Sequence, residues 1–192
     1  MKTRIAIFAS GKGTNAERIM SAFAKNKEIE IALLLASKEG IGALQKAEAA
    51  GVPSVVFSRA AFVETEPILS TLQNYKVDFI VLAGFLVHIP EWILRVYPNR
   101  LINIHPSLLP KFGGKGMFGL HIHQAVLEAG EQESGITIHL VNELYDSGGI
   151  LFQTSCFVKS DDSPETLATR VHELEYKYYP EVIEEWIKKN RN

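Results

Sequence analysis

The sequence predicts an α/β fold in which a doubly wound, mostly parallel, Rossmann-like sheet forms a single domain over residues 1–192. Strand-like and helix-like segments alternate through the first hundred residues, which is the pattern of parallel sheets with crossover helices. The strand-like runs at 29–37 and 79–83 are apolar without polar alternation, as expected of strands covered by helices on both faces. The length of 192 residues also fits one domain better than two.

The first element is a strand at 4–10, because this run is short, apolar and β-branched and ends at Gly11. A helix follows, since apolar residues between Ala16 and Phe23 recur at helical spacing. The next elements alternate in the same way, with strands expected at 29–37, 53–57, 79–83 and 101–105 and helices at 42–50, 66–75 and 90–97.

A long glycine-rich loop at 106–119 separates this part from a helix at 121–129 and two strands at 135–140 and 150–158. Too few residues lie between these strands for a crossover helix, so we expect them to pair as neighbours or as a hairpin. The closing helix has Ser163 as its N-cap and Pro164 at its first position. Its buried stripe is predicted at Leu167, Val171, Leu174 and Tyr178, and Pro180 is expected to break or kink it.

Composition excludes several classes of protein. Twenty Lys and Arg against 22 Asp and Glu leave a net charge of −2, whereas nucleic-acid binders usually carry a basic excess. No apolar run approaches the roughly 18 residues of a spanning helix, so no membrane partner is expected. One cysteine cannot form an internal disulfide, and no signal peptide precedes the first strand. We therefore expect a cytoplasmic protein.

A glycine-rich turn, Ser-Gly-Lys-Gly-Thr-Asn-Ala at 10–16, joins the first strand to the first helix. Such a turn is a common anion site, because the first N–H groups of the helix point at the ligand. The turn also matches Gly-x-Gly-x-x-Ala, the pattern of dinucleotide-binding turns. Such a site also needs an acidic residue at the end of the second strand, and Glu39 only partly meets this requirement. A plain turn in which Thr14 or Asn15 caps the helix stays open. The spacing excludes a Walker A loop.

Two polar residues, Asn103 and His105, share one face of the fifth predicted strand. A covered central strand does not bury such groups unless they are satisfied or used. They also end the strand, where open α/β sheets bind ligands. A third polar residue, Asp146, lies in an Asp-Ser-Gly-Gly loop that can reach a neighbouring strand end. The alternative is structural, with hydrogen bonds that hold the loop and an ordinary turn at Asp146.

Metal binding is a competing interpretation for a set of side chains, namely His105, His121, His123, His139 and Asp146. They show no compact tetrahedral spacing, so no metal is expected. His139 alternates with apolar residues in a strand, which suits either the core or the site. A serine hydrolase is not supported, because no Gly-x-Ser-x-Gly elbow is present.

Five segments in order resemble the phosphoribosylglycinamide formyltransferases of purine biosynthesis. They are residues 10–15, 81–85, 103–111, 138–146 and 173–180, and the most specific is Asn-Ile-His-Pro-Ser-Leu-Leu-Pro-Lys at 103–111. The resemblance implies transfer of the formyl group of 10-formyltetrahydrofolate, a co-substrate, to the amine of glycinamide ribonucleotide in de novo purine biosynthesis. It implies no metal, a monomer or homodimer, a phosphate-binding N-terminal half and a folate-binding, catalytic C-terminal half.

The resemblance assigns roles to four groups of residues. They are the phosphate-binding Gly13, Thr14 and Asn15, the glycinamide-binding Glu175, the catalytic Asn103, His105 and Asp146, and the folate-binding Leu86, Val87, His88, Ile89, Asn103, Asn142, Glu143, Leu144, Tyr145 and Asp146. In the implied mechanism, Asn103 and a protonated His105 donate hydrogen bonds to the oxyanion. The Asp146 carboxylate raises the pKa of His105 and orders a proton-relay water.

The chain departs from the family pattern at a few positions. Val87 and His88 stand where many relatives carry an Arg, and Ala61, with Arg59 nearby, stands where some relatives carry another Arg.

Three alternative functions remain. A methionyl-tRNA formyltransferase normally adds a basic C-terminal domain, and a formyltetrahydrofolate hydrolase usually adds an N-terminal one. A dinucleotide-binding oxidoreductase or nucleotide sensor would leave the three polar residues Asn103, His105 and Asp146 unused.

Overall fold

A computed structural model of the chain describes residues 2–62 and 64–191. Within that range, seven strands are formed, namely β1 (Thr3–Ala9), β2 (Ile29–Ala36), β3 (Ser54–Val56), β4 (Phe79–Leu82), β5 (Leu101–His105), β6 (Glu133–Leu140) and β7 (Ile150–Phe157). The helices of the same range are α1 (Thr14–Phe23), α2 (Gly42–Ala49), α3 (Thr65–Asn74), α4 (Glu91–Val96), α5 (Leu120–Glu128) and α6 (Pro164–Asn190), with a 3₁₀ turn at Arg59–Phe62.

The strands form one seven-stranded sheet in the order β3-β2-β1-β4-β5-β6-β7. Strand β1 pairs in parallel with both β2 and β4, and β2 pairs in parallel with β3. Strands β6 and β7 pair antiparallel, as their short separation predicted. The predicted α/β class with a doubly wound, mostly parallel sheet is therefore confirmed.

Packing divides the chain into two compact units. The first comprises residues up to Ile102 together with those from Ile183 onward, and the second comprises Asn103–Val182. The single domain, with its phosphate-binding and catalytic halves, stays a prediction.

The core of the first unit is built on β1 and β2, whose side chains at 5–9 and 32–36 are almost completely buried. Burial on both faces explains why these runs are apolar throughout. Three rings, Phe8, Phe62 and Phe85, pack edge-on or tilted with centroids 5.3 to 6.3 Å apart. This cluster anchors the chain directly before the turn at 86–89.

The second unit holds the loop that follows β5. The fully buried hydroxyl of Thr137 donates to the Ser107 carbonyl at 2.7 Å. It accepts from the Leu109 N–H at 3.0 Å and from Gln153 Nε2 at 2.8 Å. One donated and two accepted hydrogen bonds satisfy a hydroxyl completely. The loop is thereby fixed to the antiparallel pair β6–β7.

Helix α6 is one element of 27 residues and does not end at Pro180. The buried stripe predicted at Leu174 and Tyr178 runs instead through Glu175 and Tyr179, which are 3% and 0% exposed. The predicted stripe is thus right at Leu167 and Val171, which are fully buried, and wrong at Leu174 and Tyr178, because apolar periodicity passes over the buried carboxylate. In the part of the chain that the structure describes, no helix has both the length and the apolar character needed to cross a membrane.

Candidate active site

The glycine-rich turn of the first unit forms the start of α1. Gly13 is the N-cap residue, with φ 73° and ψ 24°, and none of the described side chains caps the helix there. A Cβ at Gly13 would lie 2.5 Å from Ala43 Cα, so both the left-handed backbone and the close approach require glycine. Among the described residues the helix therefore begins without a side-chain cap at its N-terminus, which favours the anion site over the side-chain-capped turn.

The turn at 86–89, also in the first unit, is tied to the end of β1. Ser10 Oγ accepts the Leu86 N–H at 3.0 Å and the Ser37 hydroxyl at 2.8 Å. Leu86 is 48% exposed, His88 is exposed and Ile89 is buried. The turn thus presents an apolar side chain to solvent from a fixed backbone. The Arg59 side chain lies outside the described residues.

The second unit brings together the three residues that were expected to be catalytic. His105 Nδ1 lies 3.5 Å from Asp146 Oδ2, and Asn103 Nδ2 lies 3.5 Å from Asp146 Oδ1. His105 is 4% exposed, and the Asp146 side chain is 12% exposed. Asp146 has φ 51°, a left-handed conformation that aspartate tolerates better than most residues. A carboxylate thus lies within reach of both an imidazole and an amide.

His139 is the fourth member of this cluster. Its Nδ1 lies 2.8 Å from the Leu140 carbonyl, which only accepts, so Nδ1 carries the hydrogen. In the neutral ring, Nε2 accepts from Asn103 Nδ2 at 3.2 Å. In the protonated ring, the same atom becomes a donor towards Asp146 Oδ1, 3.7 Å away. The sequence left His139 between core and site, and the signal that distinguished it was a polar residue at a buried position of β6.

Backbone groups of the loop after β5 form hydrogen bonds with two of these side chains. His105 Nε2 lies 2.8 Å from the Phe112 carbonyl, to which it donates. Asp146 Oδ2 accepts the Gly114 N–H at 2.9 Å. Phe112 itself has φ 56°, a strained conformation for an aromatic residue. Sequence patterns carry no signal for such contacts, because any residue type supplies the same backbone groups.

Burial lowers the pKa of His105, although the Asp146 carboxylate and the Phe112 carbonyl both act to raise it. The expectation that Asp146 leaves His105 with a raised pKa is therefore wrong in its net direction. Asp146 has the predicted effect, but the loss of water around the ring outweighs it. The resting imidazole is neutral at neutral pH.

For Asp146, the interactions that lower the pKa outweigh burial, which raises it. Burial alone would raise its pKa, but the hydrogen bond with His139, the electrostatic interactions with His105 and His139, and the Gly114 N–H together hold the pKa below its usual value. The carboxylate therefore stays ionised at neutral pH.

Glu175 lies on the buried face of α6 in the second unit. Its Oε2 accepts from His172 Nδ1 at 2.8 Å. The Glu175 charge acts on both His105 and His123, raising the pKa of each, while burial is the larger effect and lowers the pKa of His123 to about 4. A buried carboxylate with neutral histidines around it suits a cationic or hydrogen-bond-donating ligand.

The other residues that were expected to bind folate lie in the loop between β6 and β7. Asn142, Glu143, Leu144 and Tyr145 are all exposed, Leu144 by 70%. Among the described residues, no three His, Cys, Asp or Glu side chains are grouped closely enough to hold a metal ion.

The formyl transferase family model matches residues 3–183. The phosphoribosylglycinamide formyltransferase of Bacillus subtilis is 36% identical over 189 residues, which cover 95% of this chain and 93% of that protein. The chloroplastic enzyme of the same name from Arabidopsis thaliana is 41% identical over 191 residues, 95% of this chain. The chain spans 64% of the Arabidopsis protein and 60% of its Vigna unguiculata counterpart, less than two thirds of each.

Solved structures resemble the chain over nearly its whole length. The phosphoribosylglycinamide formyltransferase of Bacillus halodurans superposes with a TM-score of 0.88 at 33% identity, covering 97% of this chain and 96% of that one. The Brucella melitensis protein of the same name has a TM-score of 0.86 at 39% identity, with the same coverage.

Proposed function

Since the chain belongs to the formyl transferase family, we propose that it transfers the formyl group of 10-formyltetrahydrofolate to the amine of glycinamide ribonucleotide, the reaction of de novo purine biosynthesis. Relatives and solved structures that carry the name phosphoribosylglycinamide formyltransferase support this substrate pair. The observation that carries the proposal is the cluster of Asn103, His105 and Asp146, in which His105 is buried and the other two residues are partly buried. An oxidoreductase or nucleotide sensor has no use for that cluster.

In the proposed reaction, the substrate amine attacks the formyl carbon, and the carbonyl oxygen becomes negative. Asn103 Nδ2 and His105 Nε2 are the donors that would stabilise it. In the resting site, His105 Nε2 donates to the Phe112 carbonyl, so the formyl oxygen must replace that carbonyl. A developing negative charge beside the ring favours the imidazolium and opposes the effect of burial. His105 would thus become a competent acid only when the substrate is bound.

The reaction also moves one proton from the attacking amine to the leaving nitrogen, N10 of the folate, as the carbon–N10 bond breaks. Asp146 is ionised and close to His105, so it is suited to order a water that carries this proton. The same carboxylate would stabilise the imidazolium form of His105. A neutral amide at position 146 would do neither.

Substrate binding is proposed at both compact units. In the first, the turn of Gly13, Thr14 and Asn15 at the start of α1 would hold the ribonucleotide phosphate. In the second, Glu175 would bind the glycinamide end. The folate would use residues 86–89, Asn103 and residues 142–146, where the exposed apolar side chains of Leu86 and Leu144 suit its ring systems.

The cytoplasm is the proposed compartment, a monomer or homodimer is the proposed assembly, and no metal is invoked.

The deciding experiment incubates the purified chain with a 10-formylfolate donor, with and without glycinamide ribonucleotide, and follows the deformylated folate by absorbance. Release that requires the ribonucleotide supports the transferase. Release without it would instead indicate a hydrolase, and no release under either condition would refute the proposal.

A further inference from the structure

The buried face of α6 carries a carboxylate where an apolar residue is expected. Glu175 is 3% exposed, and the same face continues through Val171, Tyr179 and Ile183, each fully buried. Burying an ionised carboxylate is strongly unfavourable unless its oxygens are hydrogen-bonded. The group that supplies such a bond therefore decides where the carboxylate points.

That group is His172, one helical turn earlier. Its Nδ1 lies 2.8 Å from Glu175 Oε2, and a carboxylate only accepts, so the imidazole donates. The His172 side chain is 45% exposed, while the Glu175 side chain is 4% exposed. The His172 ring stacks on Tyr176, with centroids 5.9 Å apart and 16° between the planes, which holds it in orientation. A half-exposed histidine thus fixes a buried acid.

The other titratable groups near Glu175 are less suited to this task. His123 and His105 both feel the charge of Glu175, but burial lowers the pKa of each, so both are neutral near pH 7. Tyr179 is fully buried, and burial together with Glu175 raises its pKa well above its usual value. His172, by contrast, lies at hydrogen-bond distance from the carboxylate, with Nδ1 2.8 Å from Glu175 Oε2.

We propose that His172 is a positioning residue that holds Glu175 Oε2 and thereby aims the carboxylate at the amine end of the substrate. The proposal rests on the proposed function, in which Glu175 binds the glycinamide end. A carboxylate offers about four acceptor positions, so the substrate amine binds without displacing His172. His172 therefore sets the affinity for glycinamide ribonucleotide and does not take part in formyl transfer itself.

The test compares three variants of the full chain in the formyl-transfer assay. His172→Leu removes the donor, His172→Gln keeps an N–H donor, and His121→Gln replaces an exposed histidine of α5 as the matched control. We expect His172→Leu to raise the KM for glycinamide ribonucleotide roughly tenfold, with kcat and the KM for the formyl donor little changed. His172→Gln should restore this KM to within about threefold of wild type.

An unchanged ribonucleotide KM in His172→Leu, or a failure of His172→Gln to restore it, would overturn the proposal. A second measurement separates this failure from that of the proposed function. The ring ¹⁵N chemical shifts of His172 are recorded by NMR in the wild type and in Glu175→Gln, with no substrate present. A shift of those resonances is expected. If wild type transfers no formyl group, the proposed function fails, and unmoved resonances would independently refute the His172–Glu175 pairing.

Discussion

Asn103 Nδ2 lies 3.2 Å from His139 Nε2, so the amide expected to stabilise the oxyanion is already hydrogen-bonded to a histidine of the neighbouring segment. The Leu140 carbonyl accepts the hydrogen bond from His139 Nδ1–H, so Nε2 of the neutral ring is the acceptor for Asn103. This contact fixes the rotation of the Asn103 amide with its NH₂ group towards Asp146. In the proposed reaction, His139 would therefore act through Asn103.

Replacing His139 tests this arrangement. His139→Leu removes the acceptor, and we expect kcat to fall about 10- to 100-fold, since a misdirected donor loses the value of a hydrogen bond to a developing charge. His139→Gln keeps an acceptor oxygen and should recover most of that loss. Equal kcat values in the two variants would show that His139 serves packing only.

The proposed catalytic cluster is tested directly by His105→Ala and Asn103→Ala. Each removes a donor to the oxyanion, so kcat should fall by about 10² to 10⁴. His121→Ala, at an exposed position of α5, serves as the control and should retain wild-type turnover. Near-normal turnover in both cluster variants would refute the assignment.

The proposed phosphate-binding turn is tested by substituting two glycines that differ in their surroundings. Gly13→Ala places a Cβ 2.5 Å from Ala43 Cα at φ 73°, so the turn must shift and the KM for glycinamide ribonucleotide should rise at least tenfold. Gly11→Ala meets no atom within 4 Å and should leave this KM nearly unchanged. Similar KM values for the two variants would contradict a phosphate site built on the start of α1.

The position of Asp146 depends on the glycine pair that follows it. A Cβ at Gly148 would lie 1.7 Å from the Leu140 carbonyl oxygen, whereas one at Gly149 would meet only Leu140 Cδ1 at 4.0 Å. Gly148→Ala should displace the loop and lower kcat about tenfold or more. Gly149→Ala should be nearly silent, and comparable losses of kcat would argue against steric control of the loop.

Acid stability should depend on His123. Burial lowers its pKa to about 4, so between pH 6.5 and 4 the unfolded chain binds a proton that the folded chain refuses. The free energy of unfolding therefore decreases as the pH is lowered through this window, and His123 accounts for about 3 kcal/mol of the decrease. His105, whose pKa is also lowered, contributes in the same direction. The measurement is urea unfolding at pH 7, 5.5 and 4.5. In His123→Leu the fall should be much smaller, and parallel curves would contradict the prediction.

The sequence predicts the sheet well because strands buried on both faces must be apolar throughout, as the runs around Phe8 and Leu34 are. It also singles out Asn103 and His105, polar side chains at the end of such a strand, and the structure places both within 3.5 Å of the Asp146 carboxylate. Along α6, the predicted buried stripe continues through Leu174 and Tyr178, whereas the buried residues are Glu175 and Tyr179. Apolar periodicity does not select Glu175, because carboxylates are rarely buried.

Two further properties lie beyond sequence patterns. The contacts of the Phe112 carbonyl and the Gly114 N–H involve backbone atoms that every residue possesses. The net pKa shift of His105 depends on how completely its surroundings exclude water, which is a property of packing. The sequence correctly named the opposing charge of Asp146 but not the depth of burial that outweighs it.

In the proposed reaction, the Phe112 carbonyl would restrict which molecules His105 can protonate. His105 Nε2 lies 2.8 Å from this carbonyl and donates to it, so the proton would pass only to a molecule whose oxygen competes for that hydrogen bond. A weakly bound formyl compound or a water molecule would encounter a neutral imidazole whose N–H is already hydrogen-bonded to the Phe112 carbonyl. Such a site would spare its formyl donor from wasteful hydrolysis while it waits for the acceptor.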